Sequence, residues 1–405
     1  KNGLPFRGHR EKFDYETPNQ GLFIELVKLV SKYDAVLAKH LAVSNKNETY
    51  LSHMIQNDII KSMAHETVQL ILYEIKLAKY FTIIIDSTID INKNDQFSLS
   101  LRFVDQEGKI REHFICFEEL LGASANNYFN ILNKCIEKYD LDFSKCRGQA
   151  YDGASTMSGR FSGLQSRVKE LNPLALYIHC CAHNLNLVLI DSIRSSVVAV
   201  SFFGTLETLY TFLTSSLPRL HILKEEQAKQ VDGVILSLKK LSDTRWASHK
   251  RAVDSVKYFF EKKTNEKSIN QLKKLSETYK IDIDQDDLIL EYESFTSVYY
   301  HLNKDCEDIS TNDVLKFIIT NDMISSYPNL STLYKIFYTL PVSSATAERS
   351  FSRLKLIKTF LRSTIAEEKL SNLAILSIEK CTSEKINFNR VIETFAEMKK
   401  RRKLL

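Results

Sequence analysis

Residues Cys146 to Ile190 read CRGQAYDGASTMSGRFSGLQSRVKELNPLALYIHCCAHNLNLVLI, and few architectures accept that order. Arg147 to Tyr151 can be a short strand, which Asp152 closes and Gly153 breaks. Gly163 to Leu171 reads as a helix that must stop at Asn172-Pro173, because the residue before a proline avoids the helical region. Ala175 to His179 supplies a second strand and His183 to Ile193 an apolar helix. Strand, carboxylate, turn, helix, strand, helix is an α/β pattern. A carboxylate that ends a strand and faces a loop lies where such sheets keep their chemistry.

Upstream, Phe81-Thr-Ile-Ile-Ile is a β-branched run that ends on Asp86. A continuous apolar run predicts a central strand buried on both faces. Phe97, Leu99, Leu101 and Phe103 alternate with polar residues, as a half-buried strand does. His113 to Phe117 adds a third strand after the turn at Asp105 to Gly108, and Asn126 to Tyr139 a helix. Before all of these, residues 19 to 80 look helical. Leu22, Leu26, Leu29, Tyr33, Val36, Leu37 and Leu41 recur at helical spacing, and two further helices are expected over Tyr50–Met63 and Glu66–Tyr80. They read as a packed helical preface.

Three strands, helix, strand, helix, strand, helix is the order of the ribonuclease-H-like fold. In that fold the first and fourth strands are neighbours, so Asp86 and Asp152 would meet although 66 positions separate them. Paired carboxylates suit hard divalent cations such as Mg²⁺. Two such ions can activate a water and stabilise the leaving oxygen of a phosphodiester. An aspartate that only caps a turn is the competing reading.

A length of 405 residues predicts two or three domains. Seven scattered cysteines without a CxxC pair fit a reducing compartment and no disulfide framework. The longest apolar run, around Val197 to Leu213, carries Glu207 and is too broken to span a membrane, so no membrane partner is expected. Lysines are dense from Lys250 to Lys274, under a net charge of +5. A face of that kind neutralises phosphates or is simply solvated, and Asp282 to Asp287 interrupts it. Near the C-terminus Phe351, Leu354, Ile357 and Leu361 recur every three or four residues. Such a stripe either closes a core or faces another chain. The tail Lys399 to Lys403 is a basic cluster of the nuclear-import kind, or a solvated terminus.

The motifs YDGASTMSGRFSGLQ (Tyr151 to Gln165), HCCAHNLNLVL (His179 to Leu189) and DTRWASH (Asp243 to His249) resemble the blocks of the hAT superfamily of DNA transposases. LPVSSATAERSFSRLKLIKTFLRSTI (Leu340 to Ile365) resembles that superfamily's C-terminal dimerisation block. FRGHRE (Phe6 to Glu11) fits the variant found in animal genes related to MYM-type zinc-finger proteins. The resemblance implies an α/β, ribonuclease-H-like mixed sheet with N-terminal helices, a shortened helical insertion and a C-terminal helical dimerisation region. The segments expected are 1–80 helical, 81–250 ribonuclease-H-like, 251–335 insertion, 336–395 dimerisation region and 396–405 basic tail.

By the same resemblance Asp86, Asp152 and Glu348 would be the catalytic and metal-holding triad, with Mg²⁺ or Mn²⁺ if the enzyme is active. The family's CxxH pair falls on Cys180 and His183 near the site. No zinc is expected in this chain, since two ligands are not the four a zinc site wants. Trp246 would stack on a flipped base and Arg245 beside it would meet a phosphate. Phe351, Leu354, Ile357 and Leu361 would serve dimerisation. The partners implied are DNA and a second copy of the chain, in the nucleus. One departure matters: only about 100 residues separate Trp246 from Glu348, where active members insert a large helical domain that helps hold DNA ends. An N-terminal zinc-binding DNA reader, common in the family, is not found in this sequence either. Three readings stand: a transposase-derived nuclear dimer that binds nucleic acid, an active Mg²⁺-dependent transposase, and a non-catalytic protein-interaction scaffold.

Overall fold

A computed structural model describes residues 20–43, 49–194, 201, 208, 211–213, 215–228, 276–302, 311–359 and 362–398. Its centre is β1 (Phe81–Ile89), in which Ile83, Ile84 and Ile85 are fully buried. The strand lies within a five-stranded mixed sheet of order β3-β2-β1-β4-β5. β2 (Asp95–Val104) pairs antiparallel with β1 along its whole length, and β3 (Ile110–Leu120) pairs antiparallel with β2. β4 (Cys146–Tyr151) runs parallel to β1, and β5 (Leu176–His179) parallel to β4. The fold is the expected mixed α/β architecture with the first and fourth strands adjacent.

One strand boundary differs. β1 does not end at Asp86 but continues to Ile89. The reason is the hairpin with β2, whose register runs to Ile89↔Asp95. Asp90 closes that hairpin by accepting from the backbone N–H of Asn92 (2.7 Å) and from Gln96 (3.1 Å). The parallel pairing with β4 stops earlier, at Ile84↔Ala150, so Asp86 lies inside one ladder and beyond the end of the other.

The helices before the sheet are α1 (Leu22–Ser31), α2 (Ala35–Val43) and α3 (His53–Ala78). The two helices expected over 50–80 are one, because no glycine or proline interrupts the sequence between Ser52, whose hydroxyl caps Ile55, and Lys79, whose positive φ ends it. α3 is packed as expected: Ala64, Val68, Ile71, Leu72 and Ile75 belong to the same core as the sheet. After β3 come α4 (Ala125–Lys138), the short α5 (Ser155–Ser158) and α6 (Leu164–Leu171), which ends at Asn172 in an extended conformation ahead of Pro173. α7 (Cys181–Arg194) and α8 (Leu217–Ala228) lie in a second compact unit, Cys181–Lys263.

The first unit resumes at Thr264. There α9 (Gln285–Leu302), α10 (Thr311–Thr320) and α11 (Pro328–Thr339) build a second apolar cluster around Tyr279, Leu288, Phe295, Ile318 and Leu330. Tyr80 joins that cluster from just before β1, and Leu174 and Leu176 pack on it from the turn before β5 and from β5 itself. Buried Arg147 of β4 grips Asp282 through Nε (2.8 Å) and Nη2 (2.6 Å), and the Tyr80 hydroxyl donates to the same carboxylate (3.0 Å). Asp282 is thereby tied to the interior of the sheet, and the helix Pro328–Thr339 packs across β2, β1 and β4. α12 (Ala345–Ile357), α13 (Glu367–Ile378), α14 (Lys380–Ser383) and α15 (Phe388–Glu397) complete the unit.

Candidate carboxylate site at the sheet edge

Strand alternation decides which residues share a face. Thr82, Ile84 and Asp86 point to one side of β1, and their parallel partners Gly148 and Ala150 point the same way from β4. The pairing Ile84↔Ala150 has an offset of 66, the same as that between Asp86 and Asp152. Asp86 and Asp152 thus each lie two residues past the last paired row, at the same end of the two strands. Neighbouring strands stand about 4.8 Å apart. Both carboxylates are half-buried, and each accepts from a nearby backbone N–H, Asp86 from Ser87 (2.8 Å) and Asp152 from Ala154 (3.3 Å).

α12 lies on this face. Ala347 packs on Ile84 and Ala150, with no exposed surface. One turn on, the Ser350 hydroxyl pairs with Ser98 Oγ at 2.9 Å, and Ser98 is the cross-strand partner of Asp86. The first turn of α12 is thereby fixed above the row that holds Asp86. Glu348 belongs to that turn and is exposed. The three carboxylates come from three elements at one end of the sheet, yet they do not close on one another. Among the described residues the only trio of potential ligand atoms within 4.8 Å is Cys116, Glu118 and Cys135. The donor chemistry of the Asp pair, all oxygen and anionic, fits Mg²⁺ or Mn²⁺.

The loop after Asp152 is held by close packing. A Cβ on Gly153 would meet the His179 ring at 2.4 Å, so this glycine is required by the imidazole lying against it. Tyr177 donates from its hydroxyl to the Asp152 carbonyl (2.9 Å) and stacks on His179. Burial, helped by the Asp152 charge, pushes the Tyr177 phenol up to about 12, so it stays a donor at neutral pH. On the opposite face Tyr128 meets Ser87 at 2.7 Å. Burial again pushes that phenol up to about 12, and the charges of Asp95, Asp152 and Asp86 add to it.

Cys180 is buried, and its sulfur accepts from the backbone N–H of Ser344 at 3.3 Å, just ahead of α12. It is a packing residue beside the site. His183 lies in the second compact unit. Arg245, Trp246 and Leu361 lie outside the described residues, as does the basic tail. Phe351, Leu354 and Ile357 are buried within the single chain, against β-sheet and α13 side chains. Phe351 stacks on Phe117 at 6.1 Å between centroids. Of the two uses open to that stripe, the structure displays core closure.

His179 and Ser350 were not singled out by sequence reasoning, although both sit in the quoted motifs. The available signal for His179 was the register of a four-residue strand whose last residue must face the Asp152-Gly153 turn. Ser98 carried the signal for Ser350: a serine inside a buried strand needs a partner.

Residues 1–163 match the ZMYM1/FAM200 RNase-like domain family, and residues 298–381 match the hAT family C-terminal dimerisation region. The first match contains Asp86 and Asp152, the second Glu348. The chain is similar to the 52 kDa repressor of the inhibitor of the protein kinase of Homo sapiens, 28% identical over 222 residues. That match covers 53% of this chain and 28% of the relative. The Mus musculus protein of the same name is 26% identical over 270 residues, covering 63% of this chain and 34% of the relative. The aligned part is thus about a third or less of either relative.

Proposed function

We propose, for a chain that carries a ZMYM1/FAM200-type RNase-like domain and a hAT C-terminal dimerisation region, a self-associating nuclear protein that binds nucleic acid beside a divalent cation. The observation that supports this reading is the parallel pairing of β1 with β4, after whose last pair, Ile84↔Ala150, Asp86 and Asp152 each follow by two residues. Asp86 and Asp152 would hold the ion and Glu348 would reach it by a rotamer change from the first turn of α12. When bound, such an ion polarises phosphodiester oxygens and lowers the pKa of its water. The chain's own contribution is to fix the two aspartates: Ser98 and Ser350 lock the helix over the row, and His179 against Gly153 sets the turn after Asp152.

Binding without cleavage is favoured by the spread of the three carboxylates. Rate depends on geometry, and a misplacement of about 1 Å can cost 10²-fold. Fluorescence anisotropy with labelled duplex DNA tests the reading. The log of affinity should fall linearly with the log of salt concentration, as phosphate contacts require. Absence of binding, or binding indifferent to salt, would leave the protein-scaffold reading in its place. The active-enzyme reading retains one supporting observation, that all three carboxylates come to the same sheet end. Nicking of candidate terminal-repeat DNA that disappears in Asp152→Ala would establish it.

A further inference from the structure

The sheet's other face holds a second ligand set, unrelated to the aspartates. Cys116 and Glu118 are two residues apart on β3, so they share a face. Cys135 projects onto them from α4, and its sulfur stands 3.7 Å from that of Cys116. Both thiols are buried, at 0% and 1% exposure. The two sulfurs and a Glu118 oxygen lie within 4.8 Å of one another. On a tetrahedral zinc with Zn–S near 2.3 Å, two thiolates stand about 3.8 Å apart. A disulfide would need sulfurs at about 2.05 Å.

We propose that Cys116, Cys135 and Glu118 form a binding site for a thiophilic divalent cation of the zinc class, with the fourth position left to water or to the neighbouring Tyr139. The surroundings suit that role. Lys138 Nζ pairs with Glu118 Oε1 at 2.8 Å and orients the carboxylate, as outer partners of metal ligands do. Glu118, Lys138 and Tyr139 also line a cavity of about 370 Å³ between α3, β3 and α13, which gives an ion a route to the carboxylate.

Cobalt(II), added to the full chain after reduction and removal of metals, tests the site. The expected result is one equivalent bound with a thiolate-to-cobalt charge-transfer band. That band should be lost in Cys116→Ser/Cys135→Ser and kept in Cys381→Ser. Glu118→Gln should keep the band and weaken binding at least tenfold. Should the double variant fail to fold by circular dichroism, alkylation mapping of the unaltered chain serves instead: cobalt should protect Cys116 and Cys135 from modification. A folded wild-type chain without the band, a band that survives in the folded double variant, or protection confined to other cysteines would overturn the proposal and leave a packed thiol pair.

Discussion

The strongest single commitment in the fold is a residue pair that no local pattern announces. Arg147 sits at 1% exposure on β4, and its guanidinium lies 4.7 Å from the Tyr80 ring centroid while gripping Asp282. Removing one partner of a buried ion pair leaves the other charge without compensation, which costs about 3–5 kcal/mol. Asp282→Ala should therefore lower the urea midpoint by that equivalent, whereas Arg147→Met with Asp282→Leu should recover much of it. Gly153 makes a smaller prediction. In Gly153→Ala the new methyl meets the His179 ring, and overpacking of this kind costs roughly 1–3 kcal/mol. Urea melts of the variant should move by that amount. The sequence made Gly153 legible as a breaker, but not the imidazole that excludes a side chain there. Asp282 was read as one of a run of acids, because its partner lies 135 positions away.

At the scale of elements, most strands and the stop at Asn172-Pro173 were readable because they depend on neighbours in sequence. α3 is one helix where two are expected, because no helix-breaking residue stands at Ala64-His65. The stripe on α12 was ambiguous for a physical reason: an apolar face looks the same whether it meets its own sheet or another chain. Leu354 is at 2% exposure within the single chain. Leu354→Asp should bury an unpaired charge, cost more than about 4 kcal/mol and unfold the chain rather than release folded monomers. Light scattering beside circular dichroism separates these outcomes. The N-terminus of α13 carries a pH dependence. Burial first, then the charges of Glu118 and Glu119, push the Glu367 carboxyl up to about 7. A carboxyl raised in the folded state binds more protons folded than unfolded between its ordinary value and about 7, so its ionisation makes stability fall as pH rises through that window. Glu367→Gln should flatten that part of the stability profile in thermal melts recorded from pH 4.5 to 7.5.

For the whole molecule, one compact unit joins the sheet to helices from both sides of residues 181–263. From the segment expected as an insertion, 251–335, Tyr279, Leu288, Phe295, Ile318 and Leu330 form a second core packed on the sheet. That union was hidden because it depends on Tyr80, Arg147 and Leu176 meeting residues more than a hundred positions away. The adjacency of β1 and β4, the strands that carry or lead into Asp86 and Asp152, was legible from the strand order. The central claim is that Asp86 and Asp152 act as one cation site. Mn²⁺ titration followed by electron paramagnetic resonance, on the wild-type chain and on Asp86→Asn, Asp152→Asn and the double variant, tests it directly. A shared site predicts that each single variant loses nearly as much affinity as the double, with strong non-additivity. Wild-type affinity in either single variant, or losses that simply add, would contradict it.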